Sequence, residues 1–357
     1  MSLEIKKQDG YFGGAQQQVR PGHNEMLFYG MGFFGIILIW TMVGTFLTFY
    51  YTDIAGIPAA IVGTLMLVAR LLDGVTDIGM GAIVDRTKTK YGKARPWILW
   101  LAIPFAISGV LLFSVPDLSM TGKIVYAYVT YFLLILTYTA ISIPYKTLLG
   151  LMTQDQKGRT LVNIYTGVFT MLSTILVMTL AQPIASSIGG QLGWTVVSIA
   201  IALIIIVTCL TAFLKTKERV DIETIAQAKK KIAFTTEFKG LLTNKYWIII
   251  TIYCVIAYTL NALLSGAGIF YATYILGNTG YFSLIALTLF LPTIIGFFFV
   301  GKLVQKYGKR NIALVVSLAA ILGSVVKLID PTNLTVFLIG NVIQAWPYYL
   351  LLLFYMR

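Results

Sequence analysis

Charge is what this sequence has least of. Only 11% of its 357 residues are Asp, Glu, Lys or Arg, where a soluble domain carries about 25%. Histidine occurs once, at His23, and cysteine twice, at Cys209 and Cys254. A single histidine with no thiol or carboxylate cluster beside it makes no metal site. The two cysteines both lie inside apolar runs, so they read as packing thiols and give no disulfide framework. No Ser/His, Cys/His or metal-ligand constellation occurs, which argues against an enzyme. A cleavable signal is missing too. Met1 to Asn24 is polar and Gly/Gln-rich, and no cleavage pattern follows the first apolar run.

What the chain does have is hydrophobic length. Of its residues 58% are hydrophobic, and they fall in long runs rather than short amphipathic stripes. About 20 apolar residues span the hydrocarbon core as a helix. Such runs are predicted at Leu27–Tyr51, Pro58–Val84, Trp97–Val115, Ile124–Gly150, Leu161–Pro183, Trp194–Leu214, Tyr246–Tyr274, Phe282–Val300, Ile312–Ile329 and Thr335–Phe354. The fold class is therefore an all-α, multi-pass membrane protein in contact with the lipid bilayer.

The formal charge of +13 does not point to nucleic acid, because the positive residues fall in alternate loops. Arg86, Lys88, Lys90, Lys93 and Arg95 follow the second run, and Lys157 and Arg159 the fourth. Eight Lys/Arg lie in Lys215–Lys245, and Lys302, Lys306, Lys309 and Arg310 follow the eighth run. The opposite loops hold only Lys123 and, near the end of the ninth run, Lys327. Basic loops stay in the cytoplasm, so both termini are expected there. The reading divides the chain into a leader (1–26), a six-helix bundle (27–214), a connecting segment (215–245) and a second bundle (246–357). Within the connecting segment, Glu218–Lys231 reads as a solvated or amphipathic helix near anionic lipid.

An internal repeat follows. Gly81-Ala-Ile-Val-Asp-Arg-Thr-Lys-Thr-Lys-Tyr-Gly-Lys comes after the second run, and Gly301-Lys-Leu-Val-Gln-Lys-Tyr-Gly-Lys after the eighth. The two are six helices apart and on the same side, as in the parallel repeats of the major facilitator fold.

The chemistry concentrates in the second run. Arg70, Asp73 and Asp77, at i, i+3 and i+7, share one helix face. Asp73 lies about 18 Å of helix from the basic end, near the bilayer centre, where a charge costs at least about 2.5–3.5 kcal/mol. Arg70 can neutralise one acid, which leaves one net negative charge, the requirement for one bound Na+ or H+. Hard cations take oxygen ligands, and Thr76 and Thr139 add hydroxyls to the two carboxylates. Asp85-Arg86 and the basic run after them read as a gating loop, with Asp85 expected to pair with Arg86 or with a neighbouring helix. Lys146 reads as snorkelling. Phe33, Phe34, Trp40, Tyr138, Tyr145, Trp194, Phe270 and Tyr271 are the aromatics that can stack on sugar rings, Tyr138 first among them because it precedes Thr139.

Several segments together resemble the glycoside–pentoside–hexuronide:cation symporter family of the major facilitator superfamily. They are Tyr50-Tyr-Thr-Asp-Ile-Ala-Gly, Val62-Gly-Thr-Leu-Met-Leu-Val-Ala-Arg-Leu-Leu-Asp-Gly-Val-Thr-Asp, Asp85-Arg-Thr-Lys-Thr-Lys-Tyr-Gly-Lys-Ala-Arg-Pro-Trp, Thr137-Tyr-Thr-Ala-Ile-Ser-Ile-Pro-Tyr and Phe270-Tyr-Ala-Thr-Tyr-Ile-Leu-Gly-Asn-Thr-Gly. The resemblance implies symport of a sugar or glycoside with Na+ or H+ across the cytoplasmic (inner) membrane, with no cofactor beyond the coupling cation. It places Asp73, Asp77 and Thr139 at the cation site, where Thr76 stands in for an asparagine. The sugar positions depart more. Ile36-Ile37 replaces a Lys-Asp pair, Ser142 an aspartate, Lys146 a tryptophan and Gly167 an arginine, while Tyr138 persists. Tyr138, Ser142 and Lys146 are the expected substrate contacts. The family pattern has twelve helices, so the ten runs predict a C-terminally truncated chain with an incomplete second bundle. Two alternatives follow: a transport-dead membrane protein, or a lipid-like cargo on the same fold, favoured by Ile36 and Ile37.

Overall fold

The computed structural model describes residues 20–219 and 243–345. Within them run ten α-helices: α1 His23–Phe49, α2 Ala59–Arg86, α3 Arg95–Leu112, α4 Met120–Met152, α5 Gln156–Ile188, α6 Gly190–Lys215, α7 Lys245–Phe270, α8 Tyr281–Tyr307, α9 Lys309–Ile329 and α10 Leu334–Gln344. Six helical spans, α1 with its continuation to Ile54 and then α2 to α6, are long and apolar enough to cross a membrane; Tyr281–Pro292, Ser317–Ile329 and Leu334–Gln344 are shorter apolar helices. Of the sequence expectations, the first 19 residues of the leader, 220–242 of the connecting segment and 346–354 of the tenth run lie outside the described residues, as do the side chains of Cys254, Lys302, Lys309 and Arg310.

Side chains cap the starts of α4, α5 and α10. Ser119 caps α4 by accepting from the Gly122 N–H. Asp155 caps α5 through the Lys157 and Gly158 N–H groups, and Asn333 caps α10 through those of Thr335 and Val336. Each satisfies donors that a helix start leaves open. Several helices outrun their predicted bounds: α1 starts at His23, α2 continues through Asp85 and Arg86, α5 passes through Pro183, and α8 reaches Tyr307.

Packing follows small residues, as it does between membrane helices. α1 lies against α5 and α6, α3 against α4 and α6, and α2 against α4. A Cβ on Gly35 would stand 2.1 Å from the Thr208 hydroxyl of α6, so α1 and α6 approach as closely as they do only because the side chain is missing. Gly323 and Gly340 do the same for the α9–α10 hairpin. Tyr29 and Tyr145 exchange hydrogen bonds of 3.0 and 2.5 Å, each hydroxyl donating to the other residue's carbonyl, and so tie α1 to α4. Cys209 is a free thiol buried in α6.

The repeat seen in the sequence has a structural counterpart. Gly92 and Gly308 both take positive φ, 107° and 78°. Beside them Lys90 lies over the Tyr91 ring and Lys306 over the Tyr307 ring, at 5.0 and 5.1 Å.

One expectation fails here. Glu218 does not sit on a solvated helix. Thr216–Arg219 follow α6 without helical structure, and the Glu218 carboxylate accepts the backbone N–H groups of Lys93, Ala94 and Arg95 at 2.8, 2.9 and 2.9 Å. The reason is that α3 starts with no side-chain cap of its own, and a carboxylate suits the positive end of a helix. Arg219 completes the staple. It pairs with the buried Glu25 of α1 at 2.8 Å and donates its own N–H to the Leu151 carbonyl at the end of α4.

Candidate functional site

Asp73 lies at the midpoint of the 28-residue α2. One of its carboxylate oxygens, Oδ1, accepts a 3.1 Å hydrogen bond from the Thr139 hydroxyl of α4. The other, Oδ2, is 3.8 Å from an Arg70 guanidinium nitrogen one turn earlier on the same helix. Thr76 donates to the Asp73 carbonyl at 3.0 Å and stands 3.4 Å from the Thr139 hydroxyl. Asp73, Thr76 and Thr139 thus bring their oxygens together on the α2–α4 seam. Asp77 is one turn further, about 6 Å along the axis. It is exposed, and among the described residues it makes no hydrogen bond or ion pair.

α4 is held for this task from behind. The Thr137 hydroxyl is 3.0 Å from that of Ser108 on α3, and both are buried. This fixes the rotation of α4 that points Thr139 at α2.

Arg70 is kept in place by an aromatic stack that the sequence did not disclose. The Trp40 indole of α1 lies flat on Tyr138, with centroids 3.9 Å apart and an interplanar angle of 9°. The Arg70 guanidinium carbon lies over the same indole, 4.8 Å from the ring centroid. A cation over an indole is stabilised by the ring quadrupole. Trp40 and Tyr138 had both been read as aromatics for sugar rings. Both Tyr138 and Arg70 lie against the Trp40 ring.

The other expected site residues are scattered. Ser142 is buried, at 2% exposure, as is Thr139 one turn before it. Lys146 is exposed two turns beyond Thr139. Asp85 and Arg86 are both exposed in the last turn of α2. Among the described residues no ion pair of Asp85 is seen. Ile36 is fully buried in the core, so it does not make a cavity wall apolar.

The arrangement can hold a small hard cation. Its groups are acceptor carboxylates and hydroxyls, which are oxygen ligands, and Arg70 balances one of the two negative charges.

Comparison with known proteins shows the family and the fold. A family model described as MFS/sugar transport protein matches residues 28–356. The chain is 33% identical over 327 residues to the uncharacterized symporter YnaJ of Bacillus subtilis, covering 90% of this chain and 70% of that protein. It is 37% identical over 283 residues to the inner membrane symporter YicJ of Escherichia coli, covering 76% and 59%. It is 34% identical over 308 residues to the isoprimeverose transporter of Lactiplantibacillus pentosus, covering 85% and 64%. The chain thus spans about 59–70% of the length of these three relatives. Among solved structures, the nucleoside transporter NupG superposes with a TM-score of 0.58 at 13% identity, and a D-xylose-proton symporter with 0.55 at 14%; each alignment covers 92% of this chain and 80% of the other. At such identities the likeness shows the fold alone, and that fold is the one the six-helix repeat implied. With a family model matched along nearly its whole length, the chain belongs to the MFS/sugar transport protein family, a family of multi-pass membrane transporters and not of enzymes.

Proposed function

We propose that the protein works as a cation-coupled symporter of a sugar or glycoside, with Asp73, Asp77, Thr76 and Thr139 as the cation site. The observation that carries this reading is Asp73 at mid-helix, with one oxygen engaged by Thr139 and the other only loosely by Arg70. Asp77 beside it has no partner among the described residues. Burying two acids and one arginine in a membrane is costly, and a bound Na+ or H+ removes the net negative charge that remains. Symporters and an isoprimeverose transporter among the relatives support both the coupling and the class of cargo.

Coupling follows from the shared residues. Arg70 touches the cation-site carboxylate and, through Trp40, the Tyr138 ring. A cation that draws Asp73 toward itself loosens its hold on Arg70, and with it the stack that a sugar would meet. By linkage, a sugar that rearranges the stack alters cation affinity to the same degree. In this reading residues 27–214 and 246–357 form the two halves, joined by 215–245, with the basic loops and both termini on the cytoplasmic side of the inner membrane. Tyr138 and Lys146 line the path of the cargo. Uptake of labelled xylosides, glucuronides and disaccharides into vesicles, with an imposed Na+ or H+ gradient and without one, tests the proposal. Accumulation of at least one glycoside that depends on one of the gradients is expected. Uptake of every glycoside at the same rate with and without both gradients would contradict it.

A further inference from the structure

The ends of α1 and α7 away from the basic loops are built alike. Each helix widens there into a five-residue π-turn, Tyr50–Ile54 after α1 and Tyr271–Ile275 after α7. The sequences Tyr50-Tyr-Thr-Asp-Ile-Ala-Gly and Tyr271-Ala-Thr-Tyr-Ile-Leu-Gly align position by position. Ala55 donates its N–H to the Tyr50 carbonyl and Leu276 to that of Tyr271, at 2.8 and 3.1 Å; one step on, Ile57 donates to Tyr51 and Asn278 to Ala272, at 2.8 and 3.0 Å. Both turns end in a left-handed glycine, Gly56 at φ 74° and Gly277 at φ 73°. Thr52 and Thr273 both bond back into their helices, to the carbonyls of Thr48 and Ile269. π-turns recur at functional sites because the extra residue re-aims the side chains that follow it.

The first residue of each turn holds to its own half. The Tyr50 hydroxyl accepts the Val115 N–H at 3.1 Å in the α3–α4 connection. The Tyr271 hydroxyl donates to the Pro331 carbonyl in the α9–α10 connection, the equivalent place in the second half. The fourth residue of each turn reaches across instead, and the two meet: the Tyr274 hydroxyl donates to an Asp53 carboxylate oxygen. Beneath that contact lies an aromatic layer drawn from both halves. Phe49 packs on Phe270 at 5.7 Å and Phe46 on Phe282 at 5.3 Å between ring centroids, and Tyr274 stacks on Phe270 at 6.4 Å. Tyr274 itself is 69% exposed, so it contributes little to the core and its contact with Asp53 can break without unpacking either half.

We infer that Asp53 and Tyr274 are the latch of an outer gate: two equivalent turns, each anchored to its own half, joined by one polar contact that must open for the cavity to face away from the basic loops. The inference rests on the transport reading above, but its test needs neither cargo nor gradient. One exposed hydrogen bond to a carboxylate is strong enough to bias a two-state equilibrium and weak enough to release.

The test places a reporter thiol below the latch. Gly44 is exposed, and a Cβ added there meets no atom within 4 Å, so Gly44→Cys places its Cβ without a clash. Cys209→Ser and Cys254→Ala remove the native thiols. A membrane-impermeant maleimide is added from the side opposite the basic loops, and the labelling rate is measured. Asp53→Ala and Tyr274→Phe are each expected to raise the rate about fivefold to tenfold, and the double variant no more than either single, since one contact is lost in all three. Tyr274→Asp, which sets two acids face to face, should raise the rate, whereas Tyr274→Arg, which sets a cation against Asp53, should lower it or leave it at the parent's value. A general loosening of the fold would raise both. Unchanged rates in the single variants, a double variant equal to the product of the singles, or a rise with both Tyr274→Asp and Tyr274→Arg would each overturn the latch.

Discussion

Thr139 of α4 donates a hydrogen bond from its hydroxyl to Asp73 of α2 at 3.1 Å, and that bond joins the two helices at the middle of α2. α2 carries Arg70, Asp73 and Asp77 within about one turn of this contact. If the hydroxyl both orients Asp73 and supplies an oxygen to the cation, Thr139→Val should raise the cation concentration for half-maximal uptake about tenfold, the equivalent of about 1.4 kcal/mol. Thr139→Ser should stay near the parent. The measurement is initial uptake against cation concentration at matched expression. Equal concentrations for Val and Ser would remove Thr139 from the site.

Glu218 caps α3 from a distance, and Gly92 makes room for it. A Cβ on Gly92 would lie 2.3 Å from the Glu218 carboxylate, and its φ of 107° disfavours any other residue. Glu218→Ala leaves three N–H groups of the α3 start without their acceptor and should cost about 1–3 kcal/mol. Gly92→Ala should cost a similar amount by pushing the carboxylate away. Because both act on one contact, the double variant should be less destabilised than the two effects added together. Thermal unfolding in detergent measures this, and additive losses would contradict a shared contact.

Asp155 gives a pH signature. Its carboxyl is held below the ordinary 3.8 first by the Gly158 N–H, then by the Lys157 N–H and Arg20. Lowering in the folded state means that the stabilisation is complete above the ordinary carboxylate range and is lost as pH falls through the lowered value. Asp155→Ala should therefore melt below the parent at pH 7, with the gap closing at acid pH. A gap that stays constant down to acid pH would show that the cap works without its charge.

How much of this was legible in the sequence depended on the kind of signal. The Arg70–Asp73–Asp77 face was readable because helical spacing alone puts these residues together, and Thr139 was readable through the family motif. Trp40 was not placed, since nothing in α1 says that its indole meets Arg70 rather than a ligand. The π-turns left no trace, because five residues of slightly wider helix keep the same apolar pattern. Glu218 was misread because a Lys/Glu run looks solvated whichever member is claimed by a distant backbone; its N–H partners lie more than 120 residues away. Ser142 lies three residues after Thr139, on the same face of α4 and equally buried, and only the family motif connects it with a cargo.

The orientation proposed here puts both Tyr-Gly-Lys loops on one side. Lys90 and Lys306 are exposed in them, so Lys90→Cys and Lys306→Cys should both resist an impermeant maleimide added outside intact cells and both react once the cells are opened. Labelling of either one from outside would overturn the topology.

The central claim is that the two acids of α2 carry the coupling cation, and gradient-driven uptake of a glycoside by Asp73→Asn, Asp77→Asn and Asp85→Asn tests it most directly. All three lose one carboxylate from the same helix, but Asp85 lies at its exposed end, away from the Thr139–Asp73 contact. At matched membrane insertion, Asp73→Asn and Asp77→Asn should lose all stimulation by a Na+ or H+ gradient, while Asp85→Asn keeps it. Parent-like gradient dependence in both Asp73→Asn and Asp77→Asn would contradict the account.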